Sequence, residues 1–209
     1  FSAGILQDPL FSNDRPQYLN FPAIGNVIGH EIVHGFDDLG RQFDKNGNNI
    51  NWWDQETDKS FRQKAQCIID QYNNYTVGNG VKINGVHTLG ENMADIGGMK
   101  VAYKAYQSWA SDYGIEPSLP GLNYTPKQLF WISAANVMCS KFRPEFLMAF
   151  STLGIGTPAM FRVIGPMSNL PEFAEDFGCS PDSSMVRENK CEVWKKIKPK
   201  FSNLKNRFY

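Results

Sequence analysis

The chain has 209 residues, 42% of them hydrophobic, with 21 basic and 21 acidic side chains. That apolar share suffices for one sizeable core, and the balanced charge gives no sign of the basic face that a nucleic-acid-binding protein needs. No apolar run approaches the ~20 residues that a membrane span needs, and no signal peptide opens the chain, which starts abruptly, as a fragment or processed piece would.

Residues 1–22 carry Gly4, Pro9, Pro16 and Pro22 and read as loop. Ala23 to Phe36 places apolar residues at 24, 27, 28, 32 and 33, the spacing of a helix. On that helix lie His30 and His34, separated by Glu31, Ile32 and Val33. Positions i and i+4 sit about 40° apart around the axis, so both imidazoles project from one face. Two histidines so placed suit one Zn²⁺, and Glu31 lies one residue round the turn, where a carboxylate can take a proton from water. A pair of hydrogen-bonded core histidines is the alternative, and it requires no particular residue between them. Asp37, close behind His34, is a candidate hydrogen-bond partner for that ring.

Residues 37–51 are rich in Asp, Asn and Gly and read as an irregular loop. The run from Asp44 to Gln55 fails the helix-loop-helix calcium template, with glycine fourth rather than sixth and Gln55 rather than Glu in twelfth place, so it reads as a turn. Asp54 to Tyr75 forms a second helix, with Phe61, Ala65, Ile68, Ile69 and Tyr72 on one stripe. A strand is expected over 81–86, and His87 falls in a loop.

Thr88 to Tyr113 forms a third helix, closed by Gly114. A catalytic zinc site takes three protein ligands and keeps one position open. Glu91, near the start of this helix, is the best candidate for the third, and Asp95 lies on the same face, where it can accept the free N–H of a ligand histidine. Thr88 and Glu91 also fit a capping box, which accounts for a glutamate here without any metal. Gly97 and Gly98 allow close packing on another helix.

A fourth helix starts at Thr125-Pro126 and runs to about Ser140. Pro144 starts a fifth, ended by Gly154, and Pro171 a short sixth, ended by Gly178, with a strand expected over 161–164 between them. The tail over 195–209 carries six basic residues and no acid, and reads as a solvated end. The whole reads as mainly helical, with no repeat.

The four cysteines, Cys67, Cys139, Cys179 and Cys191, contain no Cys-x-x-Cys pair, which argues against a cysteine zinc site and suits disulfides in any of three pairings. Two Asn-x-Thr acceptors, at Asn74 and Asn123, point the same way, to the secretory route.

Several stretches together carry a family resemblance: VIGHEIVHGFDD at 27–38, NWW at 51–53, HTLGENMADIGG at 87–98, LPGL at 119–122, PAMFRV at 158–163, and Phe177-Gly-Cys179 followed by Cys191-Glu-Val-Trp194. The chain resembles, over residues 1–194, the carboxyl-terminal catalytic part of the neprilysin and endothelin-converting-enzyme family of zinc metallopeptidases. The resemblance implies a thermolysin-like, mainly helical zincin domain over 1–194, without its amino-terminal lobe, followed by the basic tail over 195–209. One Zn²⁺ would be held by His30, His34 and Glu91, with Glu31 as general base and Asp95 and Asp37 behind the histidines. Arg162 would bind a substrate carbonyl; on the residues alone, a salt bridge to Asp95 or another acid is the alternative. The substrates implied are short peptides cut on the amino side of large apolar residues, with Ile5, Leu10, Val27, Val137 and Met138 lining the pocket. The family usually has tryptophan in place of Met138 and an apolar residue in place of Asn26.

The resemblance further implies a Cys67–Cys191 disulfide and bonds from Cys139 and Cys179 to the missing lobe. It implies an extracellular location, as the ectodomain of a single-span membrane protein or as a secreted protein. The family carries Asp-x-His where Gly154 and Gly156 stand here, and that histidine helps stabilise the oxyanion; losing such a donor costs ~3 kcal/mol of barrier. The chain also begins just after the family's substrate-binding Asn-Ala-Phe-Tyr segment, and it runs past the family's usual Cys-x-Val-Trp ending. These departures motivate a rival expectation, a zinc-binding homologue that holds peptides with weak cleavage or none.

Overall fold

The computed structural model describes residues 2–194; the basic tail lies outside them. Helices dominate: α1 (Gln17–Asn20), α2 (Asn26–His34), α3 (Gln55–Asn73), α4 (Leu89–Tyr113), α5 (Pro126–Val137), α6 (Pro144–Thr152), α7 (Ala159–Asn169) and α8 (Pro171–Phe177). The one sheet among the described residues pairs β1 (Thr76–Val77) with β2 (Val81–Lys82), antiparallel. None of the described helices is long and apolar enough to cross a membrane.

Local chemistry sets most boundaries. Asp54 caps α3 by accepting from the Thr57 N–H at 2.8 Å, and Glu56 and Asp58 place negative charge at the positive end of the helix. Thr125 and Gln128 form a reciprocal capping box, with Pro126 pre-set for the first turn of α5. Gly178 ends α8 in the left-handed conformation, at φ 60°.

The segment expected to be loop over 1–22 contains a short 3-10 helix, Ala3–Ile5, and α1, whose first amides donate to the Glu116 carboxylate at 2.8–3.3 Å. A π-helical stretch, Phe21–Gly25, then leads into α2, so regular α-helix begins three residues later than the apolar spacing suggests. The strand expected over 81–86 is confined to Val81–Lys82, because Asn84 folds back to accept from the amides of Val86 and His87. The strand expected over 161–164 is α7 instead. Phe161, Gly165 and Ser168 are buried at helical spacing, and a short apolar run reads equally as strand or helix until its partners are known. Over 44–48 the chain makes a turn, with the Asp44 carboxylate accepting from the amides of Asn46 and Asn48.

Two apolar clusters flank α4. One gathers Phe61, Ile68 and Tyr72 of α3 with Met93, Ile96 and Phe161. The other gathers Tyr103 and Tyr106 with Leu129, Phe130 and Trp131 of α5. A Cys67–Cys191 disulfide ties α3 to the segment that follows α8.

Helix α2 crosses α4 at backbone contact. A Cβ at Gly29 would lie 2.8 Å from the carbonyl oxygen of Gly98; one at Gly98 would lie 2.6 Å from the amide nitrogen of His30. A Cβ at Gly97 would meet Val33 at 2.8 Å. Gly98→Ala is therefore expected to destabilise the full-length protein by about 1–3 kcal/mol in urea unfolding, whereas Gly78→Ala, where an added Cβ meets nothing within 4 Å, should change stability by less than about 0.5 kcal/mol.

Candidate metal centre

The helix crossing sets His30 of α2 against the first two turns of α4. His30 and His34 approach through their Nε2 atoms, 2.9 Å apart. Glu91 meets both: its two carboxylate oxygens lie 3.5 Å from His30 Nε2 and 3.4 Å from His34 Nε2. Glu91 is free to do so because the capping box does not form. Thr88 turns its hydroxyl to the carbonyl of Asn84 and accepts from the Asn92 amide, and makes no side-chain cap.

The far sides of both rings face carboxylates. His34 Nδ1 lies 2.6 Å from Asp37 Oδ2. His30 Nδ1 lies 2.9 Å from Asp95 Oδ1, at an angle short of a full hydrogen bond. A ring nitrogen facing a carboxylate carries the proton, since two lone pairs would repel. Both Nε2 atoms then turn lone pairs toward each other and toward Glu91. Three converging lone-pair donors repel unless a cation lies among them, and among the described residues His30, His34 and Glu91 are the cluster able to hold a metal ion. Nitrogen and carboxylate donors, three in number, suit zinc with a position left open. The groups in direct contact also balance a dication: the carboxylates of Glu91, Asp95 and Asp37 and the guanidinium of Arg162 leave two negative charges beside neutral imidazoles.

Each carboxylate behind the rings is itself held. Asp37 accepts from the amides of Leu39 and Gly40 at 2.9 and 2.7 Å. The turn needs glycine at 40, where a Cβ would overlap the carbonyl oxygen of His34. Asp95 is buried and bound bidentately by Arg162 of α7, at 2.8 and 2.7 Å. Arg162 also lies 3.6 Å from Glu91. The salt bridge that the residues alone suggested for Arg162 is thus formed, and it leaves the guanidinium at the edge of the metal cluster. The Asp95 hydrogen bonds hold Arg162 above its usual pKa, against the opposing effect of burial. Glu31 projects from the exposed side of α2, next to His30.

Beyond Arg162 opens a cavity of about 320 Å³. Val137 and Met138 line it, as do Phe142, Phe146 and Phe150, while Ile5, Leu10 and Val27 are not part of its wall. Phe142, Phe146 and Phe150 recur every four residues, a spacing that the sequence itself displays. The glycines at 154 and 156 have neighbours in place of side chains. A Cβ at 154 would lie 2.8 Å from Nδ1 of His87, and one at 156 would lie 3.1 Å from the ring of Phe150. Thr157 pins this loop to α4 by donating to Asn92 at 2.6 Å. Cys139 is exposed and Cys179 half-buried, and both are free thiols here.

Comparison with known proteins gives this geometry a context. The sequence model of peptidase family M13 matches residues 1–193. The chain belongs to that family. Neprilysin-2 of Drosophila melanogaster is 53% identical over 195 residues, which are 93% of this chain and 25% of that protein. Endothelin-converting enzyme 1 of Bos taurus is 49% identical over 194 residues, 93% of this chain and 26% of that protein. The M13 chain described here thus spans about a quarter of the length of the curated relatives it matches. Its fold superposes on the crystal structure of the Mycobacterium tuberculosis zinc metalloprotease ZMP1 in complex with inhibitor, with a TM-score of 0.86 and 30% identity, over 92% of this chain and 30% of that one.

Burial lowers the pKa of His34, but the hydrogen bond with Asp37 and the charges of Glu91, Asp37 and Glu31 more than offset it, so the net shift is upward from 6.5. In metal-free protein, NMR titration should place His34 above 6.5, and Asp37→Asn should bring it down by removing the anion that favours the charged ring.

Proposed function

We propose that this M13 chain is the catalytic part of a zinc metalloendopeptidase that cleaves short peptides on the amino side of large apolar residues. The observation that carries this reading is the meeting of the two Nε2 lone pairs with the Glu91 carboxylate, each imidazole backed by its own aspartate. His30, His34 and Glu91 are the ligands in this reading. When bound, zinc supplies Lewis acidity, which acidifies water and polarises the scissile carbonyl. Glu31 takes the proton of the attacking water and passes it to the leaving amine nitrogen. Asp37 and Asp95 hold the rings with Nδ1 protonated, keeping Nε2 free for the metal. Arg162 turns an N–H toward the substrate carbonyl, held in aim by Asp95.

The apolar preference is supported by the cavity beside Arg162, with Val137 and Met138 in its wall. An oxidising, extracellular setting is supported by the Cys67–Cys191 bond and by the exposure of Asn74 and Asn123. In the same reading Cys139 and Cys179 bond to a further lobe of a longer protein that is membrane-anchored or secreted.

Gly154 and Gly156 favour a second reading, a zinc-bound homologue that holds peptides with little turnover, because neither residue brings a side-chain donor to the oxyanion. A quenched peptide assay on the full-length protein separates the two: chelator-sensitive turnover excludes the second reading. Glu31→Gln should keep stoichiometric zinc by elemental analysis and lower kcat/KM by about 10²–10⁴; turnover within a few-fold of wild type would refute the role given to Glu31. His34→Ala should lose the zinc itself, and Asp37→Asn should weaken zinc affinity by about 10- to 100-fold.

A further inference from the structure

A line of buried hydrogen bonds joins the start of α4 to the segment that enters α7. The Thr157 hydroxyl donates to Asn92 Oδ1 at 2.6 Å, and Asn92 Nδ2 donates to the Thr88 hydroxyl at 2.9 Å. Thr88 in turn donates to the carbonyl of Asn84, also at 2.9 Å. The side chains of Thr88, Asn92 and Thr157 are all buried. Every donor in the line points the same way, so each bond polarises the next. Position 92 calls for an amide: an aspartate could not donate to Thr88, and a leucine could neither donate nor accept.

The ends of this line adjoin the site. Asn92 directly follows Glu91. Thr157 precedes Pro158, whose carbonyl accepts from the amides of Phe161 and Arg162 at 2.8 and 3.2 Å. The Asn92–Thr157 bond therefore sets where the backbone of Arg162 stands relative to Glu91. Asp95 holds the guanidinium bidentately, but an arginine side chain is long and rich in rotamers, so its far end can stay paired while its helix shifts. The short side chains of Asn92 and Thr157 leave no such slack. The loop before them offers little anchorage, since Gly154, at φ 63°, and Gly156 carry no side chains. With both ties made, the Arg162 guanidinium lies 3.6 Å from Glu91.

We infer that Thr157, gripped by Asn92, is a positioning residue for peptide cleavage: it keeps the first turn of α7 against α4, so that the Arg162 guanidinium stays aimed at the substrate carbonyl. This deepens the peptidase reading and rests on it. Thr157 acts through Arg162 and not through the histidines, whose rings meet Asp37, Asp95 and Glu91 instead.

The test uses the zinc-loaded full-length protein. Thr157→Val keeps the shape of the side chain and removes its donor. It should retain stoichiometric zinc by elemental analysis and lower kcat/KM by about 10- to 100-fold, and Thr157→Ser, which keeps the hydroxyl, should recover most of that loss. Kinetics are read well below the unfolding temperature recorded for each variant, and Thr157→Ala takes the place of Thr157→Val should the latter not fold. The route through Arg162 is tested by a double-mutant cycle with Arg162→Lys. It is read as calorimetric binding of acetylated, amidated Ala-Ala-Phe-Ala to zinc-loaded Glu31→Gln. Thr157→Val should weaken that binding by about 10-fold. Combined with Arg162→Lys it should weaken it no further than Arg162→Lys alone, because the aim that Thr157 protects is already lost. Unchanged kcat/KM in Thr157→Val, or an equal loss of affinity with and without Arg162→Lys, overturns the inference. Absence of chelator-sensitive turnover, with the binding cycle as expected, overturns the peptidase reading and leaves the role of Thr157 standing.

Discussion

The site depends on a steric fact: α2 and α4 touch through their backbones. Side chains are missing at Gly29, Gly97 and Gly98, and each supplied Cβ would fall inside 3 Å of the opposite helix. Ordinary helix pairs keep their axes 8–10 Å apart because side chains stand between them. Removing those side chains brings His30, next to Gly29, against Asp95, one turn before Gly98 and Met99. Glu91, a turn earlier again, then reaches both Nε2 atoms. A bulkier residue at the crossing would move the ligands apart before it altered any of them.

Around that crossing, charge is layered outward. Lone pairs point inward, protons sit on the outer nitrogens, carboxylates face those nitrogens, and Arg162 and the amides of Leu39 and Gly40 steady the carboxylates. Each layer restricts the rotation of the one inside it, so two flexible imidazoles and one glutamate are held near a single point before any metal arrives. Such preorganisation is what a ligand set needs if binding is to favour one geometry over others.

The readable parts of the sequence were those governed by local rules. His30 and His34 share a face because four residues nearly complete a turn, and that holds wherever the helix packs. Pro126, Pro144, Pro171 and Gly178 likewise punctuate helices through their own backbone limits. What stayed hidden was settled by distant partners. The 161–164 stretch is apolar enough for a strand, and burial against α3 and α4 makes it helix. Asn84 ends β2 through a side-chain hydrogen bond that the strand pattern does not encode. Gly97 and Gly98 were legible as a close-packing device, but their counterpart Gly29 hid inside the metal motif, where a glycine draws little notice. The choice between cap and ligand for Glu91 turned on the rotamer of Thr88, which only the folded chain reveals. The cavity wall divides similarly: Val137 and Met138 lie in it, and so does Phe150 of α6, whose ring lies against the glycine at 156.

The cross-link between Cys67 and Cys191, positions 124 apart, closes the middle of the polypeptide into a covalent ring. Glu91, Asp95 and Arg162 ride on that ring, whereas His30 and His34 sit on the segment that precedes it. In an oxidised but unfolded molecule the glutamate and arginine stay on the same tethered hoop, while the imidazoles lie outside it. Assembly of the site is accordingly a meeting between hoop and preceding segment, and the docking of α2 onto α4 is the event that joins them.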